Sequence, residues 1–225
     1  MARWQYIFFD VGNTLLFPNR EVMLEPLPPA QRPTLDEWQA LERLTKHEFD
    51  ASLLEGSPDH GFWWSFHTRL LTDRGLPLDG VRDAVVRNTQ NSANWDQILP
   101  GTRDALARIR QRYKIAVISN ADGRIHEVLA RCGIADCFQT ITDSGIVGHE
   151  KPHPAVFEAA LRSMEARAEQ SLYVGDVYSV DYVGAKNAGM DAVLMDVSRA
   201  YVGRDVARVE SLAGLEAWLD PSLRS

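Results

Sequence analysis

Four continuous apolar runs, each with a polar residue at or near its end, constrain the fold of this chain more than any other feature. They are Tyr6 to Val11, Lys114 to Asn120, Ser171 to Asp176 and Asp191 to Asp196. An unbroken apolar run of this length is typical of a strand that is buried on both faces of a parallel sheet. Helical patterns separate the later runs, so the alternation predicts an α/β fold with a doubly wound, Rossmann-like parallel sheet.

A long segment between the first and second runs does not alternate in this way. It spans about eighty residues, which is far more than a simple crossover connection needs. We therefore predict an inserted all-helical domain over residues 17–96, and a core formed by residues 1–16 and 97–225.

The insert itself has clear helix signals. Thr34 and Glu37 form the pattern of a capping box, and apolar residues at helical spacing follow them. We predict a second helix from Ser57 and Pro58 to Arg74, and a third from Asp79 to Asn94.

Charge and composition exclude several classes of protein. The net charge of −7 argues against a nucleic-acid binder or a protein that binds anionic membranes, since both partners repel an acidic chain. The first apolar run is too short for a signal peptide, and no stretch approaches a membrane span. Cys132 and Cys137 lack metal-site spacing, so we expect free thiols and a cytoplasmic location.

Several residues with chemical potential fall near the carboxyl ends of the predicted strands. Asp10, Ser119 and Asp176 lie at such ends, Asp181 follows shortly after, and Lys151 precedes a predicted helix. Taken singly, each has an ordinary explanation as a turn former, a helix cap or a solvated side chain. Together they predict one crevice beyond the strand ends, where ligands bind in sheets of this kind.

The same residues fall into four spaced motifs. The motifs are Asp10-Val11-Gly12-Asn13-Thr14, Ser119-Asn120, Lys151-Pro152, and Gly175-Asp176 followed by Asp181. In this order the chain resembles the haloacid dehalogenase superfamily over essentially its whole length. The helical insert resembles the cap domain of one large subclass of that superfamily.

The resemblance implies a magnesium-dependent phosphatase acting on a small phosphorylated metabolite. Asp10 would be the nucleophile that forms an aspartyl-phosphate, which splits phosphoryl transfer into two easier steps. By the same resemblance, Asp10, the backbone carbonyl of Gly12 and Asp176 would hold Mg²⁺, a cation that prefers oxygen ligands.

The remaining motif residues receive roles from the resemblance as well. Ser119 and Lys151 would join Asp10 in catalysis, and Ser119, Asn120 and Lys151 would bind the phosphoryl group. Thr14 and Asp181 would support the site by orienting these groups.

One position departs from the pattern of the phosphatases in this superfamily. They carry an aspartate two residues after the nucleophile, which protonates the leaving oxygen and later activates water, but this chain has Gly12 there. Loss of positioned acid-base catalysis typically lowers the rate by about a hundred- to ten-thousandfold. Either the substrate has a good leaving group, or a cap residue such as His47, His60 or His67 replaces the acid.

Other functions remain open. Haloacid dehalogenases also lack the second aspartate, but they generally have an uncharged residue where this chain has Asp176. Phosphonate-cleaving relatives use a cap lysine, and Lys46 is the lysine of this insert; a lone helical lysine is usually solvated, so we expect Lys46 to be exposed. A regulatory protein that binds phosphate and metal without turnover, and a phospho-accepting receiver module, are further alternatives.

The insert is rich in aromatic residues. They are Trp38, Phe62, Trp63, Trp64, Phe66 and Trp95. We expect these rings to form the core of the insert rather than a substrate-binding wall, because aromatic side chains in a small helical module usually pack against one another.

Overall fold

A parallel sheet forms the centre of the molecule, which we describe from a computed structural model covering residues 3–55 and 61–220. Its strands are β1 (Tyr6–Phe9), β4 (Lys114–Ser119), β5 (Ile141–Asp143), β6 (Ser171–Gly175), β7 (Asp191–Met195) and β8 (Arg208–Val209). They are all parallel, in the order β5-β4-β1-β6-β7-β8. The four predicted strands are confirmed, whereas β5 and β8 are too short to have a sequence signal.

The central strand β1 explains why these apolar runs fold as buried strands. All four of its residues are buried, and Phe8 lies opposite Ala116 of β4 and Tyr173 of β6. Ile7 and Phe9 pack into one apolar cluster while Phe8 packs into another on the opposite face. Both faces are therefore covered, as the doubly wound fold requires.

Helices cover the two faces. They are α5 (Thr102–Ile109), α6 (Ile125–Arg131), α7 (Ser144–Val147), α8 (Pro154–Ser163), α9 (Val183–Asn187) and α10 (Leu212–Leu219). Apolar residues of α5, α6 and α10 share a cluster with Ile7 and Phe9, and those of α8 and α9 share a cluster with Phe8. The predicted fold class is confirmed.

The insert, which we call the cap, is helical. Its helices are α1 (Arg20–Met23), α2 (Leu35–Leu54), α3 (Phe62–Asp73) and α4 (Val81–Gln90). The capping box is present: the backbone N–H of Glu37 donates to Thr34, and the Glu37 carboxylate accepts from the backbone N–H of Thr34.

A short antiparallel ribbon marks where the cap leaves and rejoins the core. Strand β2 (Leu16–Phe17) pairs with β3 (Gln97–Ile98). The ribbon supports our proposal that the cap comprises residues 17–96 and the core comprises residues 1–16 and 97–225.

Of two predicted helix limits in the cap, one lies outside the described residues and the other differs from the structure. The predicted start of the second cap helix at Ser57 and Pro58 lies outside the described residues. The third helix is shorter than predicted, because it ends at Gln90 and the Asn91 side chain accepts from the N–H of Ala93 to begin a separate 3₁₀ turn. Within the two described ranges, no helix combines the length and apolar character needed to traverse a membrane.

Candidate active site

The strand order brings the predicted site residues together. Because β1 lies between β4 and β6, the carboxyl ends of these three strands are neighbours. Asp10 directly follows β1, Ser119 ends β4, and Asp176 directly follows β6. All three side chains are buried, so the predicted convergence on one crevice is confirmed.

Lys151 connects the carboxylates of the site. Its Nζ donates to Oδ1 of Asp10 at 2.6 Å, to Oδ1 of Asp181 at 2.8 Å and to the Tyr173 hydroxyl at 2.8 Å. Burial alone would lower the pKa of Lys151, but Asp10 and Asp181 raise it above its usual value. Lys151 is therefore a protonated, fixed donor beside Asp10.

Asp181 has the contacts of a supporting residue rather than a metal ligand. Its Oδ1 accepts from Lys151 and from the Tyr173 hydroxyl, while its Oδ2 accepts from the backbone N–H groups of Asp176 and Val177. Both oxygens are thus engaged by donors from the protein. Through these contacts Asp181 holds Lys151 and the backbone that follows β6 in place.

The side chain of Asp181 lies so close to position 175 that a glycine is required there. A Cβ at position 175 would lie 2.7 Å from Cβ of Asp181 and 2.8 Å from its Oδ1, closer than such atoms approach. The glycine of the Gly175-Asp176 motif therefore provides the space in which Asp181 reaches Lys151.

The loop after β1 holds the other side of the site. Asn13 has φ 52°, a left-handed conformation that asparagine tolerates better than most residues. Its Nδ2 donates to Oδ2 of Asp176 at 3.4 Å, and the hydroxyl of Thr14 donates to Oδ2 of Asp10 at 3.5 Å. Thr14 therefore contacts Asp10, in keeping with the supporting role proposed for it, whereas nothing in the sequence indicated that Asn13 of the same motif contacts Asp176.

The carboxylates of the site are crowded. One oxygen each from Asp10, Asp176 and Asp181 lie within 4.8 Å of one another. Burial raises the pKa of Asp10 and of Asp176 above their usual values, against the opposing pulls of Lys151 and Lys46. A divalent cation fits this donor set because it would relieve the repulsion between buried carboxylates.

Asn120 anchors the loop that carries Lys151. Its Oδ1 accepts from the backbone N–H of Lys151 at 2.7 Å, and its Nδ2 donates to the Lys151 carbonyl at 3.0 Å. Both ends of its amide are therefore used to position Lys151, although Asn120 also lines the crevice together with Ser119.

The expectation that Lys46 is solvated is wrong. Only 1% of its side chain is exposed, and its Nζ lies 2.8 Å from both Oδ2 of Asp176 and Oε1 of Glu42. Burial alone would lower the pKa of Lys46, but Asp176 and Glu42 raise it well above its usual value. A sequence gives no sign of this burial, because the partner Asp176 is distant along the chain. Such a protonated amine is a poor imine former, which disfavours the phosphonate-cleaving alternative.

Gly12 is covered by an indole ring. A Cβ at position 12 would lie 3.3 Å from Cζ3 of Trp95, a tight contact that the ring would have to relieve by moving a few tenths of an ångström. The Trp95 ring is itself fixed, because its Nε1 donates to the carbonyl of Thr89 at 2.7 Å. Trp95 thus occupies space beside the position where related phosphatases have their acid-base aspartate.

The crevice opens into a cleft of ≈ 420 Å³ between core and cap. Its cap side is lined by five aromatic rings, which are Phe49, Phe62, Trp63, Trp64 and Trp95. By contrast, Trp38 and Phe66 are buried in the core of the cap. The expectation that the aromatic residues form the core of the insert is confirmed for Trp38 and Phe66, against which Phe62 and Trp63 pack, but four of the six rings also line the cleft.

Two of the three candidate replacement acids, His47 and His67, lie in the described part of the cap and do not line this cleft. His47 is exposed, with its ring 6.0 Å from that of Tyr201. His67 is fully buried and its Nε2 lies 2.8 Å from the Thr89 hydroxyl. Neither ring lines the cleft, and His60 lies outside the described residues.

Comparison with known proteins agrees with this geometry. A family model described as haloacid dehalogenase-like hydrolase matches residues 4–189. Haloacid dehalogenase-like hydrolase domain-containing protein 3 of Bos taurus is 28% identical over 203 residues, covering 83% of this chain and 80% of that protein. Glyceraldehyde 3-phosphate phosphatase of Pyrococcus furiosus is 28% identical over 206 residues, covering 86% and 81% respectively.

Solved structures share the fold. The HAD-hydrolase YfnB from Bacillus subtilis, solved bound to magnesium, superposes with a TM-score of 0.73 at 19% identity over 97% of this chain and 99% of that one. A HAD phosphatase from Thermococcus onnurineus gives 0.62 at 21% identity over 96% and 98%. The family model covers most of the chain, so the chain belongs to the haloacid dehalogenase-like hydrolase family rather than to the receiver modules.

Proposed function

We propose that this hydrolase is a magnesium-dependent phosphatase that acts on a small phosphorylated metabolite through an aspartyl-phosphate on Asp10. The observation that carries the proposal is the position of Lys151, 2.6 Å from Asp10 and 2.8 Å from Asp181, beside the buried carboxylate of Asp176. The names of relatives such as glyceraldehyde 3-phosphate phosphatase support phosphate-ester chemistry.

The donor set supports Mg²⁺ as the cofactor. The ligands would be Asp10, the carbonyl of Gly12 and Asp176. Oδ2 of Asp176 already contacts Lys46 and Asn13, so we expect its Oδ1 to face the cation. When bound, Mg²⁺ would supply positive charge that lets two anions, the nucleophile and the phosphoryl group, approach each other. The buried charged side chains around the site include more carboxylates than lysines. The carboxylates are those of Asp10, Asp176, Asp181 and Glu42, and the lysines are Lys46 and Lys151. A cation would balance the remaining negative charge.

The proposed reaction has two steps. In the first, a carboxylate oxygen of Asp10 attacks phosphorus, the bond from phosphorus to the ester oxygen breaks, and the leaving group takes the electron pair. In the second, water attacks phosphorus, the bond to Asp10 breaks, and phosphate and a proton are released. Lys151 would balance charge on Asp10 and on the phosphoryl oxygens, while Ser119 and Asn120 would help to hold them.

Gly12 determines which substrates suit this site. No side chain at position 12 can protonate the leaving oxygen or activate water, and Trp95 fills the adjacent space. We therefore expect good leaving groups to react much faster than alkyl phosphates, and hydrolysis of the aspartyl-phosphate to be slow.

Phosphate release from acetyl, aryl and sugar phosphates, with and without Mg²⁺, tests the proposal. We expect metal-dependent release that falls by at least about a hundredfold in Asp10→Asn, because the nucleophile is lost. Asp104→Asn, an exposed carboxylate on α5, is the matched control and is expected to leave release unchanged. Turnover that survives Asp10→Asn, or that needs no metal, would contradict the proposal.

A second candidate function is binding of phosphate and metal without turnover. Gly12 favours it, because a glycine at this position supplies no acid-base group for the chemical step, and Trp95 lies close beside it. Calorimetric binding of phosphate in the presence of Mg²⁺, without release from any substrate of the panel, would favour this candidate over the phosphatase. A dehalogenase would instead release halide from a 2-haloacid without metal.

A further inference from the structure

We propose that the cap side of the cleft selects aryl phosphates, that is, phosphomonoesters whose leaving group is a planar aromatic ring without a second charge. This inference rests on the proposed phosphatase function and names its substrate class. Four features of the cleft carry it.

The first feature is the aromatic surface of the cap. Phe62, Trp63 and Trp64 are half-buried, so part of each ring remains open to the cleft. The Trp63 and Trp95 ring centroids lie 5.4 Å apart, which makes a continuous aromatic wall up to the space above Gly12. An aromatic ligand gains from burial against such rings and from stacked or edge contacts with them.

The second feature is the small number of polar groups that this wall offers to a ligand. The carbonyl of Thr89 accepts from Trp95, and its hydroxyl contacts His67 and donates to the carbonyl of Val85. The hydroxyl of Ser92 donates to Asp122 at 2.6 Å. These groups are engaged within the protein, and the exposed amide of Gln90 is the further polar side chain of the described cap lining. Most hydroxyls of a sugar phosphate would therefore lose water without equivalent partners on the cap side.

The third feature is the charge of the lining. Among the described residues that line the cleft, the cap supplies no lysine, arginine or histidine. The core adds Glu150, and Asp122 whose charge is paired with Arg124, to the carboxylates of the site. A second phosphate or a carboxylate on the leaving group would therefore meet no positive side chain on the described cap side of the cleft and would be disfavoured there.

The fourth feature is the glycine at position 12, beside the Trp95 ring. Gly12 has no side chain that could protonate the leaving oxygen, so the site favours a leaving group that is stable as an anion. A phenolate meets this requirement far better than an alkoxide, because phenols such as tyrosine have a pKa of about 10. The Trp95 ring, which lines the cleft beside Gly12, adds to the aromatic surface against which an aryl ring can pack.

The experiment separates ring recognition from leaving-group chemistry. Phenyl phosphate and 2-naphthyl phosphate have phenolic leaving groups of similar acidity but different ring area, so their kcat/KM ratio reports contacts with the wall. Acetyl phosphate supplies an activated leaving group without a ring, and glyceraldehyde 3-phosphate supplies a small alkyl ester. With Mg²⁺ present, we expect 2-naphthyl phosphate to exceed phenyl phosphate by about tenfold in kcat/KM and the alkyl ester by more.

Variants locate the preference on the wall. Trp64→Leu removes a half-buried ring of the lining whose centroid lies 3.7 Å from the Arg82 guanidinium, and it is expected to reduce the naphthyl-to-phenyl ratio to near one. Trp63→Leu is a second variant at the wall. Trp38→Phe, a ring in the core of the cap away from this cleft, is the matched control and should retain the ratio.

The outcomes are distinct. A naphthyl preference that Trp64→Leu abolishes and Trp38→Phe retains would support the inference. Metal-dependent release from acetyl phosphate with a naphthyl-to-phenyl ratio near one in the parent protein would overturn the inference and leave the phosphatase function standing. Absence of release from every substrate, acetyl phosphate included, would overturn the proposed function and this inference with it.

Discussion

The ammonium group of Lys46 lies 2.8 Å from Oδ2 of Asp176, so a lysine of the cap is ion-paired with a carboxylate at the centre of the core site. The same helix, α2, places Asp50 where it accepts from the N–H of Ser179 at 2.9 Å and from the Tyr201 hydroxyl at 2.9 Å. The cap is thus joined to the core by buried polar contacts directly behind the candidate metal site.

Replacing Lys46 tests how strongly this ion pair stabilises the protein. Lys46→Met leaves Asp176 and Glu42 buried without their countercharge, and we expect the free energy of unfolding to fall by about 3–5 kcal/mol in urea titrations. Lys186→Met removes a half-exposed lysine from its ion pair with Asp191 and should cost no more than about 1 kcal/mol. Equal losses in the two variants would refute the prediction.

Gly175→Ala tests the space that Asp181 needs. The new methyl group would displace Asp181 and with it the donor network of Lys151, so we expect a loss of kcat/KM of at least about tenfold and a lower melting temperature. In Gly214→Ala the new methyl would meet its nearest neighbour, Oγ of Ser211, at 3.4 Å, and helix propensity favours alanine there, so stability should be unchanged or slightly higher. Wild-type kinetics in Gly175→Ala would contradict the proposed support by Asp181.

A combined substitution tests whether Trp95 and Gly12 together explain the missing acid. Gly12→Asp alone should be destabilised by about 1–3 kcal/mol, because its Cβ would lie 3.3 Å from Trp95. Adding Trp95→Leu gives the carboxylate room, and we expect the double variant to hydrolyse alkyl phosphates about a hundredfold faster than the parent. Measured kcat values across a leaving-group series should then depend less on leaving-group acidity, whereas an unchanged dependence would oppose the idea.

His67 predicts a pH dependence of stability. Its Nδ1 is buried without a hydrogen-bond partner within the described structure, and burial lowers the pKa of His67 to about 3. The pKa of an unperturbed histidine is about 6.5. Between pH about 3 and this value, the unfolded chain binds a proton that the folded chain does not, so the free energy of unfolding falls as pH falls through this window.

The expected slope from this histidine approaches about 1.4 kcal/mol per pH unit below pH about 6. His67→Gln, which cannot titrate, should remove that contribution from unfolding curves measured between pH 4 and 7. His47→Gln, at an exposed position, is the control and should leave the slope as it is. If both variants retain the full slope, His67 is not its source.

The sequence by itself determined the sheet and the positions of its reactive ends. Strands β1, β4, β6 and β7 were identified because residues buried on both faces must be apolar, and the Thr34–Glu37 capping box was identified because it is a local hydrogen-bond pattern. Asp10 and Asp176 could be placed together because parallel strands end at one edge of a sheet.

Only the tertiary structure decided what surrounds those ends. The burial of Lys46 against Asp176, the engagement of both Asp181 oxygens, and the indole of Trp95 over Gly12 all join residues from different elements. Helical spacing tells which residues share a face, but it does not tell what that face meets, since packing between cap and core depends on the path of the whole chain. The leaving-group side of the cleft, and with it the inferred substrate class, therefore depends on how the cap packs over the core.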